Sequence, residues 1–360
     1  MRLSSVEVIP YALPFEEPYV TARGGLRRRE MVLLRVRDGD GVVGLGEAVP
    51  LALRGGVGLR EVVAELEGWG EHREVDRLSP PARCAVETAL MDLRGRRIGE
   101  KAGEGEWDEA VPCNATLVAG RPDAVAAEAE RWAQAGFTTF KLKLGAESAK
   151  NIPQGGFSRT RRSGDVEQVR AVRSALGAEV RIRVDANEAW DLETAKATLA
   201  ALEPFEVELA EQPVAGLEAM AALAAGTSIP LAADESVTSV DEAEAAVALG
   251  ACAYTGIKLS KVGGPGEALA IADVLPAYIT SALDGPVGIA AAAQVALSLA
   301  ETGHPERLHL AHGLATQRLF ASTIAAVECE VRDGMLHLPS GPGLGIEIDE
   351  DALQAHRLSP

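Results

Sequence analysis

The chain is poor in cysteine and in positive charge, and it has no long unbroken apolar run. Its four cysteines, Cys84, Cys113, Cys252 and Cys329, stand far apart and form no CxxC pair. Neither a disulfide framework nor a thiolate zinc site is expected, and reduced, buried thiols are. Lys and Arg number 35 against 53 Asp and Glu, a formal net charge of −18 over 360 residues. That balance argues against a nucleic-acid binder or a partner of anionic membranes. The longest small-apolar stretch, Gly285 to Ala300, is broken by Gln294, and Glu7, Glu16 and Glu17 stand where a signal peptide needs an apolar block. The expectation is a soluble, cytoplasmic protein. No strand-like run leads into GxGxxG, and Gly55 to Gly58 lacks the preceding strand that motif needs, which sets aside a dinucleotide-binding sheet.

What is present is an ordinary globular composition, 47% hydrophobic and 24% charged, long enough for one large domain or two ordinary ones. Residues 1–110 place strands before helices, an α+β order. Leu33 to Asp38 and Val42 to Glu47 flank Gly39-Asp40-Gly41, a hairpin signal, and Pro80 to Arg97 reads as an amphipathic helix with Ala85, Ala89 and Leu93 on one stripe. After Pro112 short β-type runs alternate with Ala-rich helices. The runs are Val111–Leu117, Thr138–Leu144, Val180–Asp185, Val207–Glu211, Ile229–Asp234, Tyr254–Lys258, Ala277–Ser281 and Arg307–Ala311. Helices between them include Asp165–Leu176 and Val240–Leu249, the latter opened by Ser239 as its N-cap. Eight such units suit a closed TIM-type (β/α) barrel, an α/β fold, over residues 111–325. The strand-like tail, 326–360, is assigned to the first unit, giving an α+β capping domain of 1–110 completed by 326–360. Ala146 to Gly164, polar and without periodicity, is expected as a long loop at the barrel mouth.

Polar residues recur at the ends of these runs: Asp185, Glu211, Asp234, Lys258 and Ser281 are separated by 26, 23, 24 and 23 residues. One βα unit fills each interval, so the fold would gather them around a single mouth. Asp185, Glu211 and Asp234 then bring three carboxylates together, a set suited to Mg²⁺ with Mn²⁺ as substitute, whereas zinc would prefer His or Cys. A single such Asp is more often a helix cap; three at one-unit spacing favour the metal. In Thr138 to Leu144, T-T-F-K-L-K-L, strand alternation puts Lys141 and Lys143 on one face, opposite Phe140, Leu142 and Leu144. Lys258, four units onward, would lie across the pocket. One lysine is ordinarily a solvated surface residue, but two neighbouring inward ammonium groups depress each other's pKa and would poise one as a base near pH 7.

The stretches K-L-K (Lys141 to Lys143), V-D-A-N (Val184 to Asn187), E-Q-P (Glu211 to Pro213), A-D-E-S (Ala233 to Ser236) and I-K-L-S-K-V-G-G (Ile257 to Gly264) resemble the enolase superfamily, and within it the muconate lactonizing enzyme subgroup. No His stands at the seventh-strand end, Thr280-Ser281-Ala282-Leu283, which disfavours the mandelate racemase subgroup with its His base. Ser281 to Ala291 and His312 to Phe320 resemble o-succinylbenzoate synthases of the actinobacterial type. The resemblance implies Mg-dependent abstraction of a proton α to a carboxylate through a metal-stabilised enediolate, a reaction logic known for superfamily sites that pair a lysine base with Mg²⁺. It further implies a lyase that dehydrates 2-succinyl-6-hydroxy-2,4-cyclohexadiene-1-carboxylate in menaquinone biosynthesis. Lys143 would be the base and returning acid, and Lys258 the cation on the opposite face. Lys141 would keep Lys143 neutral and touch the substrate carboxylate, alongside Asn187, Ser281 and Arg23 as substrate contacts. Arg23, Arg27, Arg28 and Arg29 could meet a succinyl carboxylate, although a basic loop on an acidic protein is more often solvated. His309 and His312 read as packing or hydrogen-bonding residues rather than ligands.

Other activities of the subgroup, isomerases among them, share the metal and the lysines: muconate cycloisomerisation, and racemisation or epimerisation of N-acylamino acids or dipeptides. No acidic pair D-x-D or E-x-D follows the seventh strand to receive a dipeptide's ammonium; Asp284 stands alone. A reading from a different class is a non-catalytic metal-binding barrel, against which the intact set of ligands and lysines argues. The expected partner is a small-molecule carboxylate, not nucleic acid or membrane; a homo-oligomer is compatible with the chain but not legible in it.

Overall fold

A computed structural model of the chain describes residues 2–21, 24–50, 52, 56–103, 110–145, 159–301 and 310–358. Strands β1 (Leu3–Thr21), β2 (Gly24–Asp38) and β3 (Val43–Ala48) form an antiparallel sheet in that order. The expected hairpin joins β2 to β3, with the Asp38 carboxylate accepting from the N–H groups of Asp40 and Val42. Successive β2 residues serve two cores: Val32, Leu34 and Val36 meet helices α1 (Leu59–His72) and α2 (Pro80–Ile98), while Met31 and Leu33 face the rest of the molecule. Helix α2 lies directly on β3 because Gly44 and Gly46 present no side chain there. A Cβ on either would stand 2.2 Å from the Ala89 carbonyl oxygen or 1.9 Å from that of Ala85. The same alternation turns Leu45 and Glu47 away from α2.

The next elements are β4 (Ala110–Pro112), β5 (Ala115–Leu117), α3 (Pro122–Gln134), β6 (Thr139–Lys143), α4 (Arg159–Leu176), β7 (Arg181–Asp185), α5 (Leu192–Leu202), β8 (Val207–Glu211) and α6 (Leu217–Ala224). After them come β9 (Leu231–Ala233), α7 (Val240–Leu249), β10 (Tyr254–Ile257), α8 (Leu259–Val262), α9 (Pro265–Val274), β11 (Ala277–Ile279) and α10 (Pro286–Glu301). Strands β5 to β11 pair in parallel in chain order. His312 bridges to Cys113 at one edge and Gly313 to Thr280 at the other, closing the sheet into a (β/α) barrel. Ser239 caps α7 as expected, its hydroxyl accepting from the Glu242 N–H. All four cysteines are free thiols.

Several boundaries differ from the sequence reading. The run Val111–Leu117 is two strands: β5 enters the barrel, but β4 pairs antiparallel with β14 (Met335–His337). The closing bridges fall at 312–313, past the expected Arg307–Ala311, whose residues 307–309 are outside the described ones. Helix α4 begins at Arg159, inside the expected 146–164 loop, and 146–158 are outside the described residues. The tail is divided: β12 (Ala325–Val327) pairs with β15 (Glu347–Ile348), and β13 (Glu330–Arg332) with β14 and hence β4. Helix α11 (Glu350–His356) packs on β1, and Arg357 bridges to Tyr11. Asp92 of α2 joins these parts, its buried carboxylate accepting from the N–H groups of Leu45 (2.8 Å) and Leu344 (2.7 Å) and from Arg96.

Polar side chains tie the N-terminal sheet and its helices to the barrel mouth. Arg83 of α2 donates to the carbonyls of Val262 (2.7 Å) and Gly263 (3.1 Å). Arg29 of β2 donates to Pro50 and Ala282 carbonyls. Glu47 of β3 accepts from Tyr11 Oη (2.8 Å) and from the N–H of Gly285 (2.6 Å), just ahead of α10. Burial, then the nearby charge of Asp284, pushes the Glu47 carboxyl up to about 7. Between the ordinary carboxylate range and pH 7 the folded state therefore binds a proton that the unfolded state has released, so this site's contribution to stability is full at acid pH and lost as pH rises through about 7. Glu47→Gln removes that titration. The stability of wild type relative to Glu47→Gln, measured by urea unfolding, is expected to fall by ~2–3 kcal/mol between pH 5 and pH 8; a difference independent of pH would refute the assignment.

Candidate active site

Five consecutive strands carry the polar residues of the barrel mouth: β6 with Lys141 and Lys143, β7 with Asp185, β8 with Glu211, then Asp234 and Lys258 immediately after β9 and β10. Register, rather than loop conformation, aligns the first of them, since Lys143 pairs with Asp185 and Asp185 with Glu211 across neighbouring strands. The two sets of lysines are thus separated by three carboxylates, all essentially inaccessible to solvent.

Every carboxylate is engaged by ammonium groups. Lys141 Nζ donates to Glu211 Oε1 (2.7 Å) and Oε2 (2.6 Å) and lies 3.0 Å from Asp185. Lys143 Nζ donates to Asp185 Oδ2 (2.5 Å) and Asn187 Oδ1 (3.0 Å). Lys258 pairs with Asp234, and Lys261 donates to the Asp234 carbonyl (2.5 Å) and lies 3.2 Å from its carboxylate. Burial opposes charge at Asp185, but the ion pairs prevail there, and Lys141 and Lys143 hold it well below the usual carboxylate range. At Glu211 burial and the negative charge of Asp185 outweigh Lys141, and its pKa is raised.

For Lys143 this corrects the sequence reading. Burial and Lys141 lower its pKa as expected, yet the Asp185 carboxylate raises it more, and the net direction is upward. In this arrangement Lys143 is a cation, because an opposite charge at 2.5 Å outweighs a like charge sharing the same carboxylate. The carboxylates too are turned toward their lysines; among the described residues no three His, Cys, Asp or Glu side chains form a ready cage for a cation. Their chemistry nevertheless suits a hard divalent cation: three oxygen donors on adjacent strands, with Asp185 and Asp234 both repelling Glu211 through the dry mouth.

The three residues assigned to substrate contact besides Lys141 fare differently. Asn187 turns inward: its Oδ1 accepts from Lys143 and its Nδ2 donates to Glu235 (3.1 Å). The Ser281 hydroxyl donates to Asp284 (2.7 Å) and accepts from the N–H groups of Leu283 and Asp284, so it closes its own loop. Arg23 is outside the described residues. Of the other loop arginines, Arg28 pairs with Glu30 and Arg29 is spent on the carbonyls of Pro50 and Ala282. His309 is outside the described residues, and His312 is buried with Nδ1 accepting from the Ile279 N–H; burial and then Arg183 push it down to about 3, so it is neutral.

Sequence reasoning passed over three residues that shape the site. Gln212, inside E-Q-P, adopts a left-handed backbone (φ 37°) and stitches two strand ends together. Its Oε1 accepts from the N–H groups of Asp234 and Ser236, and its Nε2 donates to Val214 O and Ser236 Oγ. Lys261, three residues past Lys258, brings a further ammonium to Asp234. Tyr278, two residues before Thr280 on β11, donates to Glu211 Oε2 (2.5 Å). Motif spacing signalled the first two; only inward strand parity signalled the third.

Residues 124–352 match the family described as enolase C-terminal domain-like. The chain is 33% identical to the o-succinylbenzoate synthase of Thermobifida fusca, over 79% of this chain and 83% of that one. It is 29% identical to muconate cycloisomerase 1 of Acinetobacter baylyi, over 98% and 99%. A crystal structure of muconate lactonizing enzyme from Pseudomonas fluorescens complexed with muconolactone superposes with a TM-score of 0.87 at 27% identity, covering 99% of both chains. The fold is thus shared along its length with that solved structure, and the chain is an enzyme of the enolase superfamily.

Proposed function

We propose that the enzyme removes a proton α to a carboxylate, and that its reaction is the dehydration of 2-succinyl-6-hydroxy-2,4-cyclohexadiene-1-carboxylate to o-succinylbenzoate. The observation that carries the first statement is the strand order: Lys143 and Lys258 flank the three strands that bear Asp185, Glu211 and Asp234, so a substrate carboxylate seated over them has an ammonium on each side. The second rests on the identity to the Thermobifida fusca synthase and on the resemblance of Ser281 to Ala291 and His312 to Phe320 to such synthases.

Asp185, Glu211 and Asp234 would hold the metal, and Mg²⁺ is the cation the superfamily uses. Bound there, it would supply positive charge for the substrate carboxylate and would compete with Lys143 for Asp185. Lys143 then accepts the proton from C1 while the C–H electron pair moves into the carboxylate as an enediolate. Collapse of the enediolate expels the C6 hydroxyl, which takes the proton back from Lys143 and leaves as water, completing the aromatic ring. Lys258 remains a fixed cation on the other face, and its charge opposes the developing negative charge without a proton transfer. Asn187 keeps Lys143 directed into the mouth.

Dipeptide epimerisation is less favoured. Asp284, the acidic residue after β11, is buried, with Oδ2 accepting from Ser281 Oγ and the Ala282 N–H and Ser260 Oγ 3.5 Å from Oδ1, so it is not presented to a substrate ammonium. Muconate cycloisomerisation is the stronger rival, since the Acinetobacter baylyi relative aligns over nearly the whole chain. A turnover screen with Mg²⁺ against the cyclohexadiene carboxylate, muconate, dipeptides and N-acylamino acids separates these activities; turnover of muconate alone would replace the dehydration reading.

For the metal, Asp234→Asn is expected to weaken Mg²⁺ binding at least ~10-fold in calorimetric titration and to abolish turnover. Full activity after exhaustive chelation would rule the metal out. For the base, Lys143→Ala is expected to lose both turnover and solvent-deuterium exchange at the substrate α-carbon while Mg²⁺ binding survives. A two-base racemase would behave otherwise: Lys143→Ala would keep exchanging one stereoisomer of a chiral N-acylamino acid through Lys258, and that result would overturn the synthase assignment.

A further inference from the structure

Below the carboxylates the inner wall of the barrel departs from the usual layers of branched apolar side chains. One level is occupied by Leu209 of β8, Ala232 of β9, Tyr278 of β11 and Leu310, with Tyr254 of β10 against them. Gly256 of β10 is the register partner of Tyr278, and a Cβ placed on it would stand 3.2 Å from both Cζ and Oη of the ring. Ala232 and Gly256 on two successive strands therefore leave the volume that the tyrosine fills.

The ring is also propped from the far side. Arg183 of β7, fully buried, holds its guanidinium 5.0 Å from the centroid of the Tyr278 ring. The arginine is fixed in turn: Nε donates to Glu208 (2.5 Å) and Nη1 to the Ala311 carbonyl (2.6 Å). Glu208 lies at the irregularity in the β7–β8 register, where Ile182 pairs with Val207 but Arg183 with Leu209, so the strand bulges there and Glu208 can meet the arginine. A glycine, a bulge and a partly buried ion pair thus converge on the placement of one phenol, which a simple space-filling ring would not require.

That phenol donates to Glu211 Oε2 at 2.5 Å, and Lys141 donates to both oxygens, so among the described residues Oε2 has two donors and Oε1 has one. Lys141 competes with any cation for Glu211; a neutral hydroxyl donor does not. We propose that Tyr278 is a positioning residue for Glu211, its hydroxyl fixing Oε2 so that Oε1 is the oxygen offered to the metal, with Gly256 and Arg183 setting the ring at the required height. This rests on the reading of Glu211 as a metal ligand. Losing such an outer partner characteristically lowers metal affinity ~10- to 100-fold.

The test is calorimetric titration of the full-length protein with Mg²⁺. Tyr278→Phe, which keeps the ring and removes the donor, is expected to bind Mg²⁺ at least ~10-fold more weakly and to raise the Mg²⁺ concentration for half-maximal turnover in proportion, while kcat at saturating Mg²⁺ recovers most of its value. Gly256→Ala, which displaces the ring and keeps the hydroxyl, should give the same weakening, and the double variant should be no worse than the more impaired single one. Should Tyr278→Phe not fold, the titration of Gly256→Ala decides. Asp234→Asn separates the two readings. Unchanged Mg²⁺ affinity in Asp234→Asn refutes the metal site itself, whereas loss there together with unchanged affinity in Tyr278→Phe or, if that variant does not fold, in Gly256→Ala overturns the role of Tyr278 alone.

Discussion

Three carboxylates buried at the mouth of a parallel barrel are the constraint around which the rest is arranged. Taken alone, each would lose several kcal/mol of hydration on burial. Here Lys141, Lys143, Lys258 and Lys261 surround them, and Tyr278 supplies a hydrogen bond besides. The fold makes this compensation possible because the strand ends are contiguous: carboxylates on three neighbouring strands, lysines on the strands to either side. Charge balance also explains why Lys143 is held as a cation. Its neutrality would leave Asp185 with a single ammonium partner.

Among its described residues the N-terminal sheet supplies no carboxylate or lysine to that cluster, although Tyr19 acts on Lys143, and it grips the loops around the cluster. Arg83 holds the carbonyls of Val262 and Gly263 just after Lys261, and Arg29 and Glu47 hold Ala282 and Gly285 on the two sides of Asp284. Each tie is a polar side chain on a main-chain group, so it fixes the position of a loop without dictating that loop's side chains. The shelter over the mouth can thus vary in sequence while the chemistry beneath stays in register.

Much of this could be read from the chain alone, for a physical reason. Residues on consecutive strand ends are one βα unit apart, so Asp185, Glu211, Asp234 and Lys258 betray their convergence by spacing, and the i, i+2 relation of Lys141 and Lys143 betrays their common face. What escaped was whatever depends on distances between units. Val111 to Leu117 is one β-type run by composition, but its two halves serve different sheets. The Ser281 hydroxyl could not be known to close on Asp284, nor Asn187 to turn toward Lys143 and Glu235. The pKa of Lys143 was misjudged for the same reason: Lys141 is two residues away and visible, while Asp185 is 42 residues away and nearer in space.

The same distinction bears on what a relative can teach about this enzyme. Strand register is a backbone property, and the fold is kept in a protein that shares only 27% of its residues with this one. Substrate fit depends instead on side chains in loops, where no register holds them and where a single internal hydrogen bond, such as Ser281 to Asp284, withdraws a group from the pocket. Relatives with different reactions can therefore align over nearly the whole barrel and still disagree about substrate. In this chain even Lys143, whose side chain is still partly exposed at its strand end, spends its ammonium on Asp185 and Asn187.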